Sequence, residues 1–114
     1  MLDALDYSLD LEYIKENADF IENIYDYRGH AFNEIGDFSS SIVNNDKFLK
    51  VGKAIENDDF ISLSFFRNAE AKNGAEEFFG AIQDINEYIK IYESYSFGYT
   101  FRGKIKLFQS DKRK

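Results

Sequence analysis

An α-rich α+β domain, with four to five helices closed by a small antiparallel C-terminal hairpin, is the fold class this sequence predicts. Three observations carry that expectation. Apolar residues recur at helical spacing over residues 11–25 and again over 78–92. Proline is absent from all 114 residues, which suits helices. After Ser94 the apolar period changes to two, the mark of strands.

Leu11, Ile14, Ala18, Ile21 and Tyr25 fall at i, i+3, i+7, i+10 and i+14, one face of a helix that Phe20, Ile24 and Tyr27 widen. Ser8 or Asp10 caps its start, and Arg28-Gly29 ends it. Leu2, Leu5 and Leu9 are helically spaced too, but their line runs on into Glu12, Glu16 and Asp19, so a break near Ser8 or a separate short helix is expected. A second helix covers residues 30–43, with Ala31, Ile35, Phe38 and Ile42 inward. Asn44-Asn45 reads as a turn, and Asp46 caps a short third helix carrying Phe48, Val51 and Ile55.

Asn57-Asp58-Asp59 breaks the chain again. Residues 60–66 alternate, with Ile61, Leu63 and Phe65 on one side, and read as a strand in preference to a helical turn leading into 67–72. Asn73 followed by Glu76 resembles a capping box, and Phe78, Ile82, Ile85, Ile89 and Tyr92 then mark the clearest helix. Tyr95, Phe97, Tyr99 and Phe101 alternate with small or polar residues, Gly103 permits a turn, and Ile105 and Leu107 alternate with Lys104 and Lys106. A terminal hairpin follows. Residues 1–109 are read as one domain and 110–114 as a basic, frayed tail, with no internal repeat or linker visible.

Composition narrows the function. Cysteine is absent, which removes disulfides, thiolate nucleophiles and cysteine-based zinc sites. No apolar run approaches the about 20 residues of a membrane span, and no secretory leader is visible, so the expected location is cytoplasmic. Twelve Phe and eight Tyr exceed what a core of this size usually needs; rings packed in a dense core are the preferred reading, with some exposed ring surface the alternative.

No motif for catalysis stands out. The single His30 has no partner at catalytic spacing and reads as a surface or capping residue. Ser39, Ser40 and Ser41 lack a nucleophile-elbow pattern, and Asn44-Asn45-Asp46 lacks the spacing of a calcium loop. The seven glycines form no phosphate-cradling loop. The expectation is therefore no enzyme, no metal and no cofactor.

Charge is sorted along the chain. Residues 1–46 hold eleven acids against Lys15 and Arg28, whereas residues 94–114 hold six bases against Asp111. Glu12, Glu16, Asp19 and Asp26 fall at i, i+4, i+7 and i+14, opposite the apolar seam, with Glu22 beside them. Over about 21 Å of helix they approach the phosphate density of one nucleic-acid strand. The first expectation is a non-catalytic inhibitor that mimics nucleic acid. It docks Glu12, Glu16, Asp19, Glu22 and Asp26, rimmed by Tyr13, Tyr25 and Tyr27, on a basic protein such as a nuclease. Immunity proteins and phage anti-defence inhibitors share that composition, an analogy only.

The alternative is a self-associating structural or regulatory module, as a homodimer or with tail against front. The third is single-stranded nucleic-acid binding by the hairpin through Tyr99, Phe101, Arg102, Lys104, Lys106 and Phe108. It ranks last because the net charge of −7 repels nucleic acid.

Overall fold

The computed structural model describes residues 10–113. Six helices occupy them: α1 (Leu11–Glu16), α2 (Ala18–Glu34), α3 (Phe38–Ala54), α4 (Asp58–Gly74), α5 (Phe78–Ile91) and α6 (Ser96–Arg113). The described residues contain no strand, so the α+β expectation is overturned: the fold is all-α. Leu2, Leu5, Leu9 and Ser8 lie outside the described residues.

Successive helices start twenty residues apart, at Ala18, Phe38, Asp58 and Phe78. The sequence hides this repeat, and the backbone shows it in three identical turns. In the first, the amides of Ile35, Gly36 and Asp37 donate to the carbonyls of Ala31, Asn33 and Phe32. Ile55, Glu56 and Asn57 do the same to Val51, Lys53 and Gly52, and Ala75, Glu76 and Glu77 to Ala71, Asn73 and Lys72. Each is a Schellman motif, whose crossed bonds satisfy the last carbonyls of one helix while the chain reverses. The motif needs a left-handed residue at its bend. Gly36 supplies it at φ +82°, whereas Glu56 and Glu76 adopt it at φ 54° and 64°. Asp37 and Asn57 then cap the next helix, accepting from the amides of Ser40 and Phe60.

These turns correct several sequence readings. Gly29 does not end a helix; α2 passes through it to Glu34. Ile35 belongs to a turn, and Asn44-Asn45-Asp46 sits inside α3, neither a turn nor a cap. Residues 60–66 are helical within α4, and Asn73 lies in its last turn, so no capping box begins there. The expected cap at Asp10 is present, its carboxylate accepting from Glu12 N at 2.9 Å. The break at Asn57 and the helix beginning at Phe78 are present too. The C-terminal hairpin is absent: its residues form α6, which continues through Arg113 into the polar tail.

Each helix packs on its neighbours in sequence, and α4 also reaches α2. The result is an antiparallel array measuring 49 × 31 × 16 Å. Two packed helices, with axes about 8–10 Å apart, fill the thin dimension. Such an array has two ends, α1–α2 and α6, and among the described residues no extensive packing joins them.

The interior is divided. One apolar cluster joins Ile14, Ile21, Tyr25, Phe48 and Phe60, with Tyr25 stacked on Phe48 at 5.1 Å between ring centroids. The other joins Ala69, Ala81, Ile85, Tyr88 and Ile105, with Phe66 and Phe101 against it. Between them runs a buried polar chain. Asn45 Nδ2 donates to Ser41 Oγ (3.1 Å) and Asn68 Oδ1 (3.0 Å), Asn68 Nδ2 to Asp46 Oδ1 (2.9 Å), and Ser41 Oγ to Gly29 O (3.2 Å). Buried amides are tolerable only when bonded, so this chain fixes how α2, α3 and α4 register.

Candidate interaction surfaces

At the front end, α1 and α2 are separated by Asn17, whose side chain donates to Tyr13 O at 2.8 Å. The acidic residues are therefore not one straight stripe. Glu12 and Glu16 ride on α1 and Asp19 on α2, all exposed and without an ion pair among the described residues. Tyr13, Phe20 and Tyr27, seven residues apart, are exposed alongside them, Phe20 by 61% and Tyr27 by 71%. Phe20, a residue read only as widening the apolar seam, is thus a surface ring.

Two of the expected carboxylates are used inside the molecule. Asp26 faces α4, where Arg67 Nε donates to its Oδ1 at 2.7 Å and Nη2 to its Oδ2 at 3.3 Å. Arg67 Nη1 donates to Glu70 Oε1 at 3.1 Å, and Asn33 Nδ2 donates to the same oxygen at 2.7 Å. Burial pulls the Arg67 pKa down, but the hydrogen bonds and charges of Asp26 and Glu70 more than reverse it, leaving it above its ordinary value. Nothing in the spacing of residues 26 and 67 announces this clasp.

Glu22 is half-buried between the same helices. Burial first, then the negative charges of Asp59, Asp19 and Asp26, push its carboxyl above its ordinary value of 4.5. Tyr25 points the other way, into the core at 1% exposure, and offers no rim to a partner. The start of α4 adds acids that sequence spacing did not join to α1: Glu56, Asp58 and Asp59 share a shallow groove with Lys15.

His30 sits within the clasp. Arg67 Nη1 lies 3.2 Å from His30 Nδ1, and a guanidinium only donates, so Nδ1 accepts and the ring proton lies on Nε2, facing Glu34 Oε1 at 3.8 Å. The imidazole is held between helices, with no reacting group before it. Among the described residues no cluster of three or more His, Cys, Asp or Glu side chains is placed to hold a metal ion. Three grooves among the described residues are open and shallow. One of about 300 Å³ between α2 and α3 is lined by Arg28, Phe32, Ser39, Val43 and Lys47, and no acid–base pair lies across it.

At the far end, α6 disperses the residues that a hairpin would have aligned. Phe101 packs inward against Phe66, and Arg102 donates to Asn86 Oδ1 at 2.8 Å while lying over the Tyr99 ring at 5.2 Å. Phe108 is half exposed, and Lys104 and Lys106 are exposed on opposite flanks of the helix. The stacking ladder expected of a single-strand binder is not formed.

No described helix is long and apolar enough to cross a membrane. Compared with protein-family models, curated proteins and solved structures, the chain finds no match.

Proposed function

We propose that this protein is a non-catalytic, protein-binding inhibitor that docks the ring-and-carboxylate face of α1–α2 on a basic partner, with a nucleic-acid enzyme as the partner class. The observation that supports it is the placement of Tyr13, Phe20 and Tyr27 in solvent beside Glu12, Glu16 and Asp19, none of which has an ion pair among the described residues. Aromatic rings are enriched at protein interfaces, where they bury large area at low entropic cost. Opposite charge steers encounter and sets partner choice. The functional carboxylates on this reading are Glu12, Glu16 and Asp19; Asp26 and Glu22 shape the surface from within.

The test is affinity capture from the native host with wild-type bait and with the Glu12→Lys, Glu16→Lys, Asp19→Lys variant, read by mass spectrometry. The expected result is a basic protein held by the wild type, released by salt and absent from the variant, whose thermal stability is nearly unchanged. Equal capture by both baits overturns the reading.

A further inference from the structure

Both ends of the helical array are apolar where the terminal layers of stacked helices are ordinarily polar. Phe20 and Tyr27 stand on the front layer, and Tyr99 (45% exposed) and Leu107 (61%) on the outer side of α6. We infer that the α1–α2 face also accepts a second copy of this chain, with the basic, apolar outer stripe of α6 from one molecule seated on α1–α2 of the next. This rests on the assignment of α1–α2 as the binding face and adds a second occupant to it.

Gly103 is the sharpest evidence. Glycine inside a helix costs roughly 1 kcal/mol relative to alanine, so its presence asks for a cause. Four of the other helical glycines have one: a Cβ would lie 2.4 Å from Asn45 Oδ1 at Gly29, 2.7 Å from Phe60 at Gly52, 2.5 Å from Phe38 at Gly74 and 2.7 Å from Ile89 at Gly98, while at Gly80, in the first turn of α5, the nearest atom is Lys72 Cδ at 3.2 Å. At Gly103 a Cβ would meet nothing within 4 Å. It sits mid-helix on the solvent side, between Tyr99 and Leu107 at i−4 and i+4, where a bare backbone lets another helix approach closely.

Charge and length agree with that occupant. Lys104 and Lys106 flank the stripe and have no ion pair among the described residues, and neither have Glu12, Glu16 and Asp19 at the opposite end. The 18 residues of α6 and the 17 of α2 span about 27 and 26 Å, so the two helices match along their length. The contact is heterologous: every assembly keeps one acidic and one basic end free, so the series extends with concentration and does not stop at a symmetric pair.

Sedimentation equilibrium of the full chain across a dilution series at low salt tests it. The wild type is expected to show a weight-average mass that rises with concentration and falls as salt is added. Gly103→Leu is expected to remain helical and melt no lower, yet sediment as a monomer. The Glu12→Lys, Glu16→Lys, Asp19→Lys variant and the Lys104→Glu, Lys106→Glu variant are each expected to be monomeric alone. Their mixture is expected to associate, because the unaltered basic end of the first meets the unaltered acidic end of the second and the two reversed ends also attract. A wild type that stays monomeric into the high micromolar range, or a Gly103→Leu variant that associates as the wild type does, overturns the inference. A monomeric wild type that still captures a basic protein through Glu12, Glu16 and Asp19 overturns the self-contact alone and leaves the binding face standing.

Discussion

Asn45 is where the fit between helices is tightest. Its Oδ1 accepts from Asn44 Nδ2 at 3.1 Å, its Nδ2 bonds Ser41 and Asn68, and a Cβ on Gly29 would intrude to 2.4 Å from Oδ1. Gly29→Ala therefore displaces a buried, fully used amide, despite alanine's better helix propensity. We expect a loss of about 1–3 kcal/mol in urea unfolding, the range of an overpacked core, with far-UV dichroism unchanged. Glu22 gives the opposite sign. Its raised pKa means the folded state favours the protonated form. The stability tied to that form is fully present below the unfolded value near 4.5 and lost as pH rises through the raised folded value. Glu22→Gln should thus be more stable than wild type at neutral pH, with the advantage vanishing on acidification below about pH 4. Paired melts across that range check it.

At the scale of elements, the clasp and the turns do the fastening. Arg67 joins α2 to α4 through both carboxylate oxygens of Asp26, with Arg67 15% and Asp26 28% exposed. Asp26→Ala leaves a buried guanidinium half-paired and is expected to cost about 2 kcal/mol, below the about 3–5 of a fully buried pair because water reaches one side. A double-mutant cycle with Arg67→Met measures it. In the second turn Glu56 occupies a left-handed position at φ 54° that glycine adopts without strain. Glu56→Gly should therefore stabilise by about 0.5–1 kcal/mol, visible as a raised urea midpoint.

These elements also explain what the sequence conceals. The helix at Phe78 was legible because α5 buries a single face, giving Ala81, Ile85 and Tyr88 a clean period. In α4 the period vanishes: it packs on α2, α3 and α5, so Phe60, Leu63, Phe65 and Phe66 point all round. Its buried Ser62 and Ser64 satisfy their hydroxyls on the carbonyls of Asp59 and Phe60, which gives an alternation that imitates a strand. Two of the three turns place glutamate where glycine would have signalled them. In α6 Phe97 and Phe101, four residues apart, both pack on Phe66 while Tyr99 between them faces outward, so the alternation there is a helical pair with an exposed ring and not a sheet.

As a whole molecule the described chain is a short stack of helices with an acidic, ring-bearing end and a basic end. The charge sorting was legible from the first residues. Which carboxylates remain outside was not, because Asp26 is claimed by a residue 41 positions away and Tyr25 by the core. On the proposed function the exposed rings of α1–α2 carry the binding energy. Tyr13→Ser, Phe20→Ser and Tyr27→Ser combined remove largely exposed apolar surface, so the melt should shift little, as surface changes usually lie within about 0.5 kcal/mol each. In a binding titration against the basic partner, at least a tenfold loss of affinity is expected with the fold intact. Wild-type affinity in the folded triple variant would contradict it.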